Sequence, residues 1–339
     1  MTLTIELLCF LGSPFAPSLI HRLDQDKSIE LYDYSVKNRM LFLYLQTLHE
    51  KSMHYFATDY QKEKMKYLET VDTIVRVSQV LSNANLDHTI FKTIRPYRYS
   101  PADIDVLIFG KKSDYVKSVK AMKNIGYEVV ALGPRSTTLR DREANIGIDL
   151  YEQVAVSFIT YMDKQTLKKY TTITKLPNGN YVKSLMPEAD LSCIITHSIV
   201  KEQMYTLSEY YTFIHYLKQM NIDNFVQLVR HNNIVSAVRT HASITALLHK
   251  VAHKTIPKQL QQILDNLGQE NFETTKLIEN EYETPHKYHP ITVAKSLLEI
   301  AKGKKCRSSM AIQIYQMVHP SFAKKFLKIL IEHITRETY

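Results

Sequence analysis

Glycine is scarce: 8 residues in a chain of 339. Neither G-x-G-x-x-G nor G-x-x-x-x-G-K occurs, which removes the two commonest glycine-based nucleotide sites and speaks against a Rossmann or P-loop protein. Cysteine is rarer still. Cys9, Cys193 and Cys306 are scattered and odd in number, so neither a disulfide framework nor a cysteine zinc site is readable, and the expected setting is reducing and cytoplasmic. No stretch approaches the roughly twenty uninterrupted apolar residues of a membrane span, and MTLTIELLCF carries no basic residue ahead of its short apolar run. Neither a signal peptide nor a membrane partner is therefore expected. Acidic side chains are the minority, 34 against 43 Lys and Arg, for a net charge of +9. That balance favours an anionic partner and says nothing about the fold. What is plentiful is apolar surface: 45% hydrophobic residues over this length supply a full core and allow two or three domains.

From Ser28 to about Leu81 apolar residues recur at helical spacing, as in Leu41, Leu45 and Leu48 and then Leu68, Val71 and Val75, which predicts two or three amphipathic helices. After Asn85 the texture changes to short β-rich runs: His88 to Thr93, Ile104 to Phe109, Tyr127 to Leu132 and Ile146 to Val154. One helix is inserted among them, with Ser113 as N-cap, Val116, Val119 and Met122 as its apolar face and Gly126 at its end. Asn178-Gly179 predicts a β-hairpin within Tyr170 to Ser184. Beyond Pro187 the pattern is helical again, with units at Leu191 to Tyr205, Leu207 to Met220, Asp223 to Arg230 and Ile244 to His253. The expected class is α+β: a small mixed sheet over 85–186, an N-terminal helical segment over 1–84, and a large helical region over 187–339 whose last third is basic.

Chemistry concentrates in Ala102-Asp103-Ile104-Asp105-Val106-Leu107-Ile108-Phe109. Side chains alternate across a strand, so Asp103 and Asp105 share one face. Asp24-Gln25-Asp26 has the same spacing but no apolar strand after it, so the bare pattern is weak. A third carboxylate, Asp149 in Ile146-Gly147-Ile148-Asp149-Leu150-Tyr151, strengthens it, because charged residues inside apolar strands rarely lack a reason. Such a cluster repels itself unless a metal ion or basic group compensates. The plain alternative is three strand-end residues facing water or pairing with Arg140 or Arg142.

With Phe91-Lys92-Thr93 ending the preceding strand, nine residues before Asp103, these motifs resemble the nucleotidyltransferase superfamily, the fold of DNA polymerase β, kanamycin nucleotidyltransferase and the tRNA CCA-adding enzymes. The resemblance covers about Asp87 to Glu209 and is closest to an uncharacterised nucleotidyltransferase-like family in which Lys precedes the small residue. It implies that Asp103, Asp105 and Asp149 are catalytic and ligate one or two Mg²⁺ (or Mn²⁺) ions, and that a nucleoside monophosphate passes from an NTP to an acceptor hydroxyl with loss of pyrophosphate. Asp149 is also a candidate general base. Where the superfamily has Gly and Ser this chain has Lys92 and Thr93, candidates for phosphate together with Arg95 and Arg98 in the loop that follows, a loop that could equally be merely solvated. Lys201, one helical turn from His197, is a further nucleotide candidate, and His197 a neighbour with either a functional or a structural role.

His249-Lys250-Val251-Ala252-His253 has zincin-like spacing without the glutamate, so zinc is not expected. Pro285 to Pro290 reads as a linker. From His286 onward, ten basic residues face three acidic ones, including Lys304, Lys305, Arg307, Lys324, Lys325, Lys328 and Arg336. These helices could follow the backbone of RNA or DNA or form a solvated face. Two other functions stay open: a catalytically inactive nucleotidyltransferase fold that binds nucleic acid, and, fitting less well, a glycosyltransferase whose Asp-x-Asp holds Mn²⁺ and a sugar nucleotide. The acceptor cannot be read from the sequence.

Overall fold

The computed structural model describes residues 1–141 and 146–335; Arg142 and Arg336 lie outside the described residues. Four helices come first: α1 (Leu3–Leu11), α2 (Gln25–Lys37), α3 (Leu41–Glu50) and the long α4 (Ala57–Asn83). Asp24, from the weaker Asp-x-Asp, caps α2 by accepting the Lys27 N–H at 2.8 Å, so that pattern marks a helix start. Helix α1 was not anticipated. Its residues are buried on nearly every side, so it carries no amphipathic period to read.

The α/β unit follows: β1 (His88–Ile90), β2 (Asp103–Ile108), α5 (Lys112–Asn124), β3 (Glu128–Leu132), β4 (Ser136–Arg140), β5 (Gly147–Tyr151), β6 (Val154–Val156), β7 (Ile159–Met162), α6 (Lys164–Lys168), β8 (Thr171–Lys175) and β9 (Tyr181–Leu185). Seven of these strands form one mixed sheet in the order β3-β4-β5-β2-β1-β9-β8. Strands β2 and β5 run parallel, as do β1 and β9; the other pairs are antiparallel. The predicted hairpin is β8–β9, turned through Gly179 at φ 85°. Two differences stand out. Strand β4 was not expected, and β1 stops at Ile90, where the chain swings into a left-handed turn at Lys92 (φ 58°).

The C-terminal part comprises α7 (Pro187–His197), β10 (Met204–Tyr205), α8 (Leu207–Tyr216), α9 (Ile222–His231), α10 (Val235–His253), α11 (Lys258–Leu267), α12 (Phe272–Glu279), β11 (His286–Lys287), α13 (Pro290–Ile300), α14 (Lys304–Met317) and α15 (Pro320–Thr335). The helix expected over Leu191 to Tyr205 ends at His197, continues as a π-helical turn over Ser198–Glu202, and breaks at Gln203 (φ 54°) before β10 pairs with β11. Part of the expected linker at Pro285 to Pro290 is thus a strand. No described helix is long and apolar enough to cross a membrane.

Strand alternation divides the core. Ile104, Val106 and Ile108 of β2 and Ile148 and Leu150 of β5 pack with Val71, Ile74, Val77 and Leu81 of α4. Leu107 and Tyr151 point the other way, into a larger core built with α1–α3 and α7–α10. Asp103, Asp105 and Asp149 share this second face by the same period of two. The acids therefore lie on the face that the helical regions cover.

Candidate active site

Parallel pairing of β2 and β5 sets Asp105 directly opposite Asp149, and Asp103 follows two residues along the same face. One carboxylate oxygen from each lies within 4.8 Å of the others. Asp105 is buried, while Asp103 and Asp149 are half-buried. Burial first, and then the charges of Asp105 and Asp149, push the Asp103 carboxyl up to about 6, against the opposing pull of Lys92 and Lys201. Asp149 Oδ1 is buried with no hydrogen-bond partner. An orphaned carboxylate oxygen beside two further acids fits a divalent cation, and an all-oxygen donor set suits Mg²⁺ or Mn²⁺.

The loop after β1 is fastened to this cluster. Lys92 Nζ is 3.1 Å from Asp105 Oδ1 and lies over the Phe91 and Tyr151 rings at 4.8 and 4.9 Å. Its backbone N–H donates to Asp190 Oδ1 of α7 at 2.6 Å, and Tyr216 O–H lies 2.8 Å from Asp190 Oδ2. Thr93 Oγ1 donates to Phe91 O at 3.2 Å and accepts the Asp105 N–H at 2.8 Å. Lys92 and Thr93, the phosphate candidates, are thus engaged within the protein: the Lys92 N–H and the Thr93 hydroxyl hold the loop in place, and the Lys92 ammonium sits on a carboxylate.

A cavity of about 240 Å³ opens beside Asp103 and Asp105, lined also by Lys92, Arg95, His197 and Lys201. Arg95 Nη1 donates to Thr212 Oγ1 at 3.2 Å, its guanidinium lies 5.3 Å from the Tyr99 ring centre, and its Nε is buried without a partner. Burial would lower the Lys201 ammonium, but Glu202 and then Asp105, Asp103 and Asp149 carry it above its ordinary value, so it stays charged. Arg98 is exposed and lines a neighbouring cavity of about 330 Å³. His197 is clamped, with Nδ1 3.0 Å from Tyr161 O–H and Nε2 3.0 Å from Glu202 Oε1. Burial, then Lys92 and Lys201, bring it down to about 3, which makes it a neutral ring donating to Glu202 rather than an acid or base at neutral pH.

Three charged cavity residues escaped the sequence. Arg39, between α2 and α3, reaches the cavity through a left-handed backbone (φ 59°) and lies 5.9 Å from the Tyr99 ring centre. Glu202 and Glu209 bring further acids. Asp190, the anchor of the Lys92 loop, reads in sequence as an ordinary acid in the first turn of a helix.

No family model and no curated protein matches the sequence. Two solved structures resemble the fold. An antigenic nucleotidyltransferase-like protein from Paracoccidioides brasiliensis aligns over 66% of this chain and 96% of its own, at 14% identity and a TM-score of 0.30. The STING-associated CdnE c-di-GMP synthase from Capnocytophaga granulosa aligns over 85% and 98%, at 11% identity and 0.32.

Proposed function

We propose that this protein is a metal-dependent nucleotidyltransferase that moves a nucleoside monophosphate from an NTP to an acceptor hydroxyl and releases pyrophosphate. The observation that carries the reading is the convergence of Asp103, Asp105 and Asp149 within 4.8 Å, on one sheet face, beside a cavity lined by Lys92, Arg95 and Lys201. Asp103, Asp105 and the orphaned Asp149 Oδ1 would hold Mg²⁺ or Mn²⁺. When bound, the cation neutralises triphosphate charge and acidifies an acceptor hydroxyl. Lys201 and Arg95 face the cavity with charges placed for phosphate oxygens. Thr93 and Asp190 keep the Lys92 loop pressed on β2, and Asp149 is positioned to accept the proton of the acceptor hydroxyl. The test is transfer of label from α-labelled NTPs to any acceptor in the presence of Mg²⁺ or Mn²⁺. Transfer should occur with the wild-type protein and vanish in Asp103→Ala/Asp105→Ala; a wild-type protein that binds neither metal nor NTP sinks the proposal.

The Lys92–Asp105 ion pair favours a second reading, in which the site carries its own cation and is catalytically silent. Nucleic acid would then be held by the basic C-terminal helices, where Lys304, Arg307, Lys324 and Lys328 are exposed. Salt-dependent RNA or DNA binding that survives loss of all three acids, with no turnover, would select this reading.

A further inference from the structure

We infer that Lys92 takes the place of one of two metal ions, so that the acid cluster holds a single divalent cation. The inference rests on the nucleotidyltransferase reading and narrows it. Lys92 Nζ lies 3.1 Å from Asp105 Oδ1, and both side chains are almost wholly out of water. The ammonium is fixed from three directions: by that carboxylate and by the faces of Phe91 and Tyr151. Its backbone is fixed as well, through the left-handed turn and the N–H bond to Asp190.

Charge and geometry then agree. Three carboxylates carry three negative charges, which one divalent cation and one ammonium balance. Within the protein's own charges a second divalent ion would be in excess, so it would have to come with the nucleotide, and it would face Lys92 directly across Asp105. Two ions about 3.5–4 Å apart need a carboxylate to bridge them, and a carboxylate with one oxygen already held by an ammonium is a poor bridge. Displacing Lys92 would strand a buried, unpaired charge. What remains free for a cation is Asp103, the other oxygen of Asp105 and the orphaned Asp149 Oδ1. One carboxylate oxygen from each acid lies within 4.8 Å of the others, so each has to move by roughly 0.7 Å to meet a shared ion with bonds near 2.1 Å.

The test counts bound Mn²⁺ by equilibrium dialysis and reads its electron paramagnetic resonance, with saturating α,β-methylene analogues of ATP and GTP. Wild-type protein and Lys92→Arg should each bind one Mn²⁺ with an isolated-ion spectrum, and Lys92→Met should bind two that are spin-coupled. Two coupled ions in the wild type, or a single ion in a folded Lys92→Met, would overturn the inference and leave the nucleotidyltransferase reading standing. A wild type that takes up neither Mn²⁺ nor nucleotide would overturn both. If Lys92→Met does not fold, the wild-type count decides.

Discussion

Asp103 bears the strain of the acid cluster, because its carboxyl is pushed up to about 6 by burial and by two acid neighbours. A folded-state value above the unfolded one means that its contribution to stability is fully present below about pH 3.8 and is lost as pH rises through about 6. At neutral pH the metal-free protein should therefore be held back by this one ionised group, by on the order of 2 kcal/mol. Asp103→Asn should raise the metal-free melting temperature by about 2–5 °C at pH 7.5, lose about half of that advantage at pH 5, and abolish transfer. Calorimetry at the two pH values checks this. An unchanged or lower melting temperature at pH 7.5 would mean that the like charges are already compensated within the protein. The same proton competes with the cation, so Mn²⁺ affinity should weaken as pH falls below about 6.

Between elements, the joint that matters most is the one from the β1–β2 loop to α7. Asp190 accepts the Lys92 N–H and meets the Tyr216 hydroxyl, which also lies 3.1 Å from Ile94 O. Asp190→Ala would leave the buried Lys92 N–H without an acceptor, while the Tyr216 hydroxyl keeps Ile94 O, a loss of about 1–3 kcal/mol. Asp190→Asn keeps an acceptor and should lose less. In hydrogen exchange, the amides of Lys92 to Ile94 should open faster in Asp190→Ala while those of β5 stay protected; equal protection in both variants would show that the loop is held by other means. Asp190 also marks where the sequence stopped being legible. The acids of β2 and β5 could be read because a period of two in an apolar run fixes both strand and face. Strand β4 could not, since Ser136-Thr137-Thr138-Leu139-Arg140 has a single large apolar residue and so carries a weak pattern. Asp190 and Arg39 gain their roles from tertiary pairings, Asp190 with a residue 98 positions away, and local spacing encodes nothing of that kind.

Over the whole chain, the helices from both ends of the sequence close on one face of the sheet as a continuous core, which is how Arg39, between α2 and α3, arrives beside Asp103 and Asp105 of β2. Closing that core buries histidines. Burial pulls His241 down to about 3 and His253 to about 4; His215, with Lys218 adding to the effect, also lies near 4, and His197 near 3. His241 stacks on Phe213 with its Nε2 unpartnered, and both ring nitrogens of His253 lack partners. Each of these groups binds a proton more readily when unfolded, so its contribution to stability is present above about pH 6.5 and is lost as pH falls toward the folded value. Burial lowers His88 and His249 as well, whereas it raises Asp103 and Asp190, which act in the opposite direction but are two groups against six. The melting temperature should therefore fall steadily from pH 7 to pH 4.5. His241→Leu, which removes one proton-binding site from the unfolded chain and keeps an apolar body in the core, should flatten that slope. Melts across the range decide the matter: a flat profile in the wild type, or an unchanged slope in a folded His241→Leu, would mean that acid stability is governed by carboxylates and not by the histidines that the helical cover encloses.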